Sequence, residues 1–495
     1  MIIPAYVARN ARKFPDHEAV IDTGVRSTWL ELDQHVNGFA EVLANDYDIK
    51  QGDRVCLVLP NNYAFVVAHF AIQRLGAIVA PINVKLTANE LGYIFDNAEA
   101  SLIITCDLTS AGALAAAQQA NLNHLLINDM PAFVATNSSG RAFSKLDEYA
   151  ITESATLLYT SGTTGRPKGV LFDHRALLFV GMMFATEMNY APESRLLSLM
   201  PFTHSAPLNL SLVGGTLMGC THIIAPTFTP DLLLNLVEQE SCTHFFGAPV
   251  AYLLTAQHPQ VSNTNLSSMT HWIYGGGPLA GDHAHRVQKA FGSDQFYCVY
   301  GLTEAGPTGS LLLPHEHSDK AGSVGRRAAA FTEIRVVNAD GDIAGVDEAG
   351  EIHIGGEGIM REYWRNPEAT AEIFTADGWI RTGDIGVRDA DGFYWVKDRI
   401  KDLIITGGVN VYPREVEDAL ASHPAVLEVA VIGVPHDQWG ESVKAYVVLN
   451  EPLDEDALRT HVAERLADYK RPRVYQFVNE LPHNANGKVL KHQLR

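Results

Sequence analysis

Between Tyr159 and Gly169 the chain reads YTSGTTGRPKG. Small hydroxyl residues, three glycines and one lysine sit together between an apolar run, Thr156 to Tyr159, and a valine-led one. Glycines let backbone N–H groups approach an anion closely, Ser161, Thr163 and Thr164 add donors, and Lys168 supplies charge. That is the chemistry of a polyphosphate cradle. The pattern differs from the G-x-x-x-x-G-K-[ST] nucleotide loop, because a glycine follows the lysine where that loop has serine or threonine.

Four further clusters carry chemistry. YGLTEAG, Tyr300 to Gly306, puts Thr303 and Glu304 after a predicted strand over 295–299, where a hydroxyl and a carboxylate can meet phosphate and magnesium. WIRTGD, Trp379 to Asp384, ends in an aspartate expected on a tight turn, and a carboxylate can accept from both hydroxyls of a ribose. DRIKDLIITGGVNVYPREVE, Asp398 to Glu417, runs from a charged stretch through a Gly-Gly turn into a helix. NANGKVLK, Asn484 to Lys491, sets Lys488 on a glycine turn close to the last residue. Taken singly, each has a plain alternative: Lys488 as a solvated lysine, Asp384 as a turn residue, Glu304 as a surface or capping carboxylate.

These clusters need elements to position them. From Arg54 the pattern alternates strand and helix: RVCLVLP, a helix over 64–75, AIVAPIN, a helix over 88–98, SLIIT. The rhythm resumes at LLSLMPF, THIIAP, a helix over 230–240 and THFFGAP. Two such blocks imply parallel, helix-covered sheets. From about Gly322 the helices vanish, and short strands joined by Asp-Gly and Gly-rich turns predict a small β-barrel-like unit. After Lys401 strands return with an amphipathic helix over 454–468, a compact α+β tail long enough to fold alone. The expected fold class is therefore a large α/β N-terminal domain, residues 1–400, with two α/β sheets plus the β unit. A smaller, mobile α+β C-terminal domain, residues 401–495, follows it.

A chain of 495 residues is too long for one core. Lys+Arg 37 against Asp+Glu 57 leaves a net charge of −20, which argues against nonspecific binding to nucleic acid or anionic lipid. Cys56, Cys106, Cys220, Cys242 and Cys298 include no C-x-x-C pair and read as buried thiols of a reducing compartment. The N-terminal segment lacks the apolar core of a signal peptide, and the longest apolar stretches are about half of what crosses a bilayer. The expectation is a cytoplasmic protein with no transmembrane segment and no nucleic-acid partner. Its oligomeric state is left open, a homodimer included.

In this order and at these separations, the five clusters resemble the adenylate-forming superfamily of acyl-CoA synthetases, peptide-synthetase adenylation domains and luciferases. The likeness runs from Ile3 to Leu494, and the stretch IMREYWRNPEATAEIFTADGWIRTGD is similar to bacterial fatty-acyl-CoA synthetases and coumarate-ligase relatives. The resemblance implies two half-reactions. A carboxylate attacks the α-phosphate of ATP, giving acyl-adenylate and pyrophosphate, and a thiol, normally that of coenzyme A, displaces AMP. It further implies that Thr160, Ser161, Gly162, Thr163, Thr164, Gly165 and Lys168 hold the β- and γ-phosphates. Thr303 would touch the α-phosphate and Glu304 would bind Mg²⁺. Tyr300 and Gly301 would lie at the nucleotide, and Asp384, with Arg399 beside it, would grip the ribose. Gly275, Gly276, Gly277 and Pro278 would flank adenine and acyl group. Lys488 would bridge the carboxylate and α-phosphate. Lys401 would be the hinge of a rotation that withdraws Lys488 and presents Gly407 and Gly408 to a thiol tunnel.

Two departures bear on the acid. The family's PxxH element usually has an aromatic residue before its histidine, whereas here the segment is PFTHSAPLN, with Thr203 before His204. His204 is expected to abut the acyl carboxylate or gate its entry, with a satisfied packing histidine as the alternative. Asn209 and Ser211 would add polarity to that wall or face the next helix. Gly277 stands where relatives often carry alanine, which would deepen the pocket toward a longer or broader acid. The pocket positions so assigned contain no arginine, which disfavours a dicarboxylate. A fatty acid is the first expectation and an aryl or phenylpropanoid acid the second.

Three rival readings remain to be weighed. Gly275-x-Gly277-x-x-Ala280 superficially resembles a dinucleotide fingerprint but lacks a second half-site. A related enzyme that loads a carrier protein is closer, although no carrier domain is fused here. A silent nucleotide-binding scaffold would not need Lys168, Glu304, Asp384 and Lys488 together. His315, Glu316 and His317 could suggest a metal, and a polar loop is the simpler account.

Overall fold

The computed structural model describes residues 1–140, 149–160, 166–277, 279–483 and 489–495. The first strand–helix block forms a seven-stranded sheet. Its order is Glu362–Tyr363, Lys168–Asp173, Ser154–Thr160, Ile78–Pro81, Arg54–Val58, Leu102–Thr105, Asn123–Leu126. The last five strands run parallel, and the hairpin that bounds the phosphate loop adds antiparallel pairs at one edge. The second block forms a nine-stranded sheet. It runs parallel from Phe296–Tyr300 through His271–Gly275, His244–Gly247, Arg195–Ser198 and Thr221–Ile224 to Glu18–Ile21.

Between the two sheets lies the helix Tyr63–Arg74, every residue of which is buried. Asn62 caps it by accepting the N–H of Phe65 at 2.8 Å. The helix is mostly apolar on every side, and its buried Arg74 is paired with Asp33 at 2.7 Å. One core packs around the helix, joining Val55, Leu57 and Val79 of the first sheet to Val20 and Ile224 of the second through Phe65, Phe70 and Leu208. All five cysteines are buried free thiols.

The β unit is an antiparallel four-stranded sheet, Thr332–Val337, Gly350–Gly356, Ile380–Arg388 and Tyr394–Arg399. It is not free of helix: Pro367–Ile373 is helical, started by Pro367 and capped by Asn366, which accepts from Ala369 N–H. The chain then enters a five-stranded sheet. Pro413–Ala421 and Glu455–Ala463 are its helices. The second is shorter than the 454–468 predicted. A separate 3₁₀ turn at Asp468–Lys470 follows, and Leu466, beyond the helix end, still packs in the core with Leu458 and Val462. No helix among the described residues is long and apolar enough to cross a membrane.

Burial has a consequence for acid stability. His69, His174, His204, His222 and His271 are pushed down to about 3 and His244 and His283 to about 4, mainly by loss of water. Unfolded, they titrate near 6.5. Below that pH the unfolded chain therefore binds more protons, and the stability present above 6.5 is lost as pH falls toward 4, at about 1.4 kcal/mol per pH unit for each histidine. The urea midpoint is expected to drop steeply from pH 7 to pH 5, with uptake of several protons on unfolding. A midpoint flat across that interval would contradict this account.

Candidate active site

Two paired strands flank the segment expected to bind phosphate. Ser154–Thr160 and Lys168–Asp173 pair antiparallel, with Thr160 directly opposite Lys168, and the Thr160 hydroxyl donates to the Lys168 carbonyl at 3.5 Å. Ser161, Gly162, Thr163, Thr164 and Gly165 lie outside the described residues. Next to Lys168–Asp173 runs the short strand Glu362–Tyr363, which carries the Tyr363 ring under Lys168, Nζ 5.0 Å from its centroid.

Tyr363 connects this lysine to the YGLTEAG turn. Its hydroxyl donates to Glu304 Oε1 at 2.6 Å. Burial and the Glu304 charge raise the phenol pKa, so Tyr363 stays a donor. Glu304 itself is buried on the 3₁₀ turn Thr303–Ala305, directly after the strand Phe296–Tyr300. The turn is as tight as its sequence allows. A Cβ at Gly301 would stand 2.1 Å from the Pro307 carbonyl oxygen, and Gly306 has φ +79°. Among the described residues nothing donates to Glu304 Oε2.

At the other end of the same turn, Tyr300 reaches Asp384. Its hydroxyl donates to Asp384 Oδ2 at 2.8 Å, and Arg399 Nε meets Oδ1 at 2.9 Å. Asp384 and Arg399 face each other across adjacent strands. The predicted tight turn at Asp384 is corrected here: the residue lies inside the strand Ile380–Arg388. The glycine signal that suggested a turn is real, since Gly383 has φ +70°, but it kinks a strand whose register shifts at Ile385/Gly386. The kink aims a buried carboxylate at Tyr300.

Gly275 ends the strand His271–Gly275, where a Cβ would lie 2.5 Å from the Val299 carbonyl oxygen of the neighbouring strand. Gly276 follows in the left-handed region, and Pro278 lies outside the described residues. At Gly277 a Cβ would meet nothing closer than Pro249 Cδ at 3.8 Å, so an alanine fits there and its absence leaves room.

The PFTHSAPLN segment opens into a π-helix, Ala206–Val213, which the sequence reading did not anticipate. Such wide turns concentrate at functional sites. Here Thr203 Oγ1, His204 Nε2 and Asn209 Oδ1 are enclosed without a hydrogen-bond partner among the described residues, and Asn209 Nδ2 donates to Ser205 Oγ at 3.0 Å. A satisfied packing role for His204 therefore does not describe its geometry. Burial pushes its pKa down to about 3, so it is a neutral imidazole at pH 7. Thr203 also lines a cavity of about 230 Å³, walled by Leu59, Met200, Phe228 and Leu254, with Asn83 and Lys85 among its polar residues.

Of His315, Glu316 and His317, the last two take structural roles. Glu316 pairs with Arg326 at 2.9 Å and accepts the Leu313 N–H, and the His317 ring lies between Tyr274 and the Leu313 carbonyl.

With this geometry in place, comparison with known proteins is decisive. Residues 7–364 match the family model of AMP-binding enzymes, and residues 415–488 match that of the AMP-binding enzyme C-terminal domain. The chain belongs to the AMP-binding enzyme family. It is 36% identical over 494 residues to a feruloyl-CoA synthase of Amycolatopsis sp, covering 99% of this chain and 98% of that one. To the long-chain-fatty-acid–CoA ligase of Bacillus subtilis it is 33% identical, covering 98% and 92%. Among solved structures, ATP-bound MatB from Rhodopseudomonas palustris superposes with TM-score 0.90 at 29% identity, over 100% of this chain and 98% of that one. The apo form of the same protein superposes with TM-score 0.81. The protein is thus an AMP-forming acid–CoA ligase of the adenylate-forming superfamily.

In this ligase Lys401 sits on the 3₁₀ turn Ile400–Asp402, at the passage from the antiparallel sheet to the C-terminal one. Gly407 and Gly408, φ +57° and +81°, form the tip of the hairpin Ile404–Thr406/Val409–Val411. A Cβ at Gly408 would meet nothing within 4 Å, so the tip faces solvent. Beside it Trp439, 40% exposed, stacks on His436 at 4.4 Å. Lys488 lies outside the described residues. Tyr300 and Tyr363 are what sequence reasoning missed as carboxylate donors; their only linear signal is an aromatic beside each cluster. Replacing Tyr300 by Phe removes one hydrogen bond to a charged group, about 1.5–3 kcal/mol. Calorimetry should show ATP binding weakened at least tenfold with the melting temperature little changed, and unaltered affinity would contradict the assignment.

Proposed function

We propose that the ligase activates an apolar monocarboxylic acid in the cleft between residues 1–400 and a C-terminal lobe, 401–495, and passes the acyl group to coenzyme A. The observation that carries this is the single turn Tyr300–Gly306, which joins one buried carboxylate suited to a ribose, Asp384, to another suited to a metal-bound phosphate, Glu304.

Thr160 to Gly165 and Lys168 hold the β- and γ-phosphates, with Lys168 kept in place over Tyr363. Thr303 meets the α-phosphate. Glu304 fits Mg²⁺, since it is a hard oxygen donor whose Oε2 is left free by Tyr363. Bound there, the ion would offset phosphate charge. Asp384 accepts from the ribose while Arg399 and Tyr300 fix its orientation. Gly275 to Gly277 leave the cleft floor without side chains where adenine and acid meet, and Pro278 completes that segment. Neutral His204 can donate to the acid's carboxylate without carrying charge into the pocket. Lys488 relieves the repulsion as the carboxylate oxygen attacks the α-phosphorus and the bond to pyrophosphate breaks. Rotation about Lys401 then brings Gly407 and Gly408 to the thiol path. The thiol sulfur attacks the acyl carbon, loses its proton and releases AMP.

The cavity behind Thr203 suits the thiol arm better than a fatty tail. It is apolar along its walls, while Lys85 adds the positive charge that a phosphate-ended arm needs on a surface of net charge −20. For the acid, a fatty acyl chain remains the first reading, supported by the open space at Gly277 and by the long-chain ligase relatives. A phenolic acid is the second: a hydroxyl would satisfy Thr203 Oγ1 or Asn209 Oδ1, which a saturated chain leaves unpaired.

AMP release should depend on coenzyme A across a panel of short, medium, long-chain and aryl acids; a carrier protein serving as acceptor in its place would refute the coenzyme A reading. Lys488→Ala should lower acid-dependent pyrophosphate release about 10²–10³-fold and spare thiolysis of preformed acyl-adenylate. Equal loss of both would remove the role given to Lys488. Lys85→Glu should raise the KM for coenzyme A at least fivefold with pyrophosphate release unchanged, and an unmoved KM would place the thiol arm elsewhere.

A further inference from the structure

The helix Pro413–Ala421 has no cap within its own lobe. Tyr412, at its N-terminal boundary, makes no side-chain cap bond. Asp398 supplies the cap from the other side of Lys401. Its Oδ2 accepts the Arg414 N–H at 2.8 Å, and its Oδ1 accepts that of Arg399 at 2.6 Å. Asp398 ends the strand Tyr394–Arg399 of the antiparallel sheet, so the bond to Arg414 crosses between the two parts of the chain.

The opposite end of the helix is held from the large part as well. Arg286, on the helix Gly281–Phe291, donates to the carbonyl oxygens of Ala421 at 3.2 Å and Pro424 at 3.4 Å. A carboxylate thus sits at the positive end of the helix dipole and a guanidinium at the negative end, and both come from outside the lobe. Arg414 Nη2 adds a bond to the Gly322 carbonyl at 3.4 Å.

A third charge closes the seam. Lys491 Nζ lies 2.8 Å from Glu417 Oε1, with the two side chains 18% and 13% exposed. Glu417 Oε1 also accepts the Val431 N–H, so its position in the lobe is fixed. Asp398, 6% exposed, acts on the same ammonium electrostatically. Without Lys491, one carboxylate from each part would face the other in a poorly solvated seam.

We infer that the helix Pro413–Ala421 is an electrostatic latch, and that Asp398, Arg286 and Lys491 are positioning residues that hold the C-terminal lobe in its adenylate-forming orientation. The solvent-facing Gly407–Gly408 tip fits that orientation, because the thiol-transfer step requires the tip turned inward. Rotation about Lys401 must uncap the helix, withdraw its last carbonyls from Arg286 and part Asp398 from Lys491. The inference rests on the reading of this chain as an adenylating ligase with a rotating lobe.

The test separates the half-reactions in the full-length protein. Asp398→Ala, Arg286→Ala and Lys491→Met are each expected to lower ATP- and acid-dependent pyrophosphate release about fivefold, the worth of one cap or dipole contact. Ferulate and dodecanoate serve as the acids. Thiolysis of synthetic feruloyl- or dodecanoyl-adenylate by coenzyme A should stay within twofold or rise, and Lys491→Arg should restore pyrophosphate release. Amide hydrogen exchange at Arg414 to Val416 should speed up at least fivefold in Asp398→Ala. Equal falls in both half-reactions, unchanged pyrophosphate release, or unchanged exchange in a variant that melts like the parent would overturn the latch. If Asp398→Ala does not fold, the Lys491→Met and Lys491→Arg pair decides it. Should the unaltered protein release no pyrophosphate with either acid, the functional reading fails, while the exchange measurement still tests the latch.

Discussion

Two buried carboxylates, Glu304 on a glycine turn and Asp384 bonded to Tyr300 at the start of that turn, must each be satisfied, and the site depends on how that is done. Glu304 and Asp384 are both nearly out of water, where an unpaired charge is costly. The chain uses a phenol on each and, on Asp384, the Arg399 guanidinium as well. Tyr363 and Tyr300 each give one hydroxyl to one oxygen, and burial keeps both phenols protonated. Because Tyr300 and Glu304 belong to the same turn, the two carboxylates are held at a set separation.

Large and small parts of the chain meet through contacts of a different kind. A helix cap is worth about 1 kcal/mol and a charge at a helix end about 0.3–1 kcal/mol. A seam built from a few such contacts favours one orientation without forbidding another. A hydrophobic seam of the kind joining the two α/β sheets could not release in this way: Phe65, Phe70 and Leu208 are fully buried between them. The two α/β sheets share one buried apolar core, whereas the helix Pro413–Ala421 meets the rest of the chain through a few polar contacts.

The fold was legible wherever periodicity and turn chemistry agreed. The strand–helix alternation after Arg54 and the helix at Pro230–Glu240 were readable because proline, capping residues and apolar spacing pointed the same way. Failures came where a local signal had two structural outcomes. Gly383 reads as a turn but kinks a strand, since the partner strand, whose Arg399 pairs with Asp384, supplies the pairing that continues it. Pro367–Ile373 was passed over because seven residues show too little periodicity. The π-turn at Ala206 has no linear signature, since its wider pitch is set by packing.

From the sequence alone came the identities of the charged and hydroxyl groups, their order, and hence the class of chemistry: a polyphosphate cradle, two carboxylates and a terminal lysine. These follow from residue type and spacing, which are one-dimensional facts. Only the tertiary structure decided who satisfies whom. Tyr363 reaches Glu304 across 59 positions and Tyr300 reaches Asp384 across 84. Asp398 caps a helix beyond Lys401. Partners so far apart are chosen by sheet order and register, because side chains meet through space, and no local pattern along the chain records which strands will lie side by side.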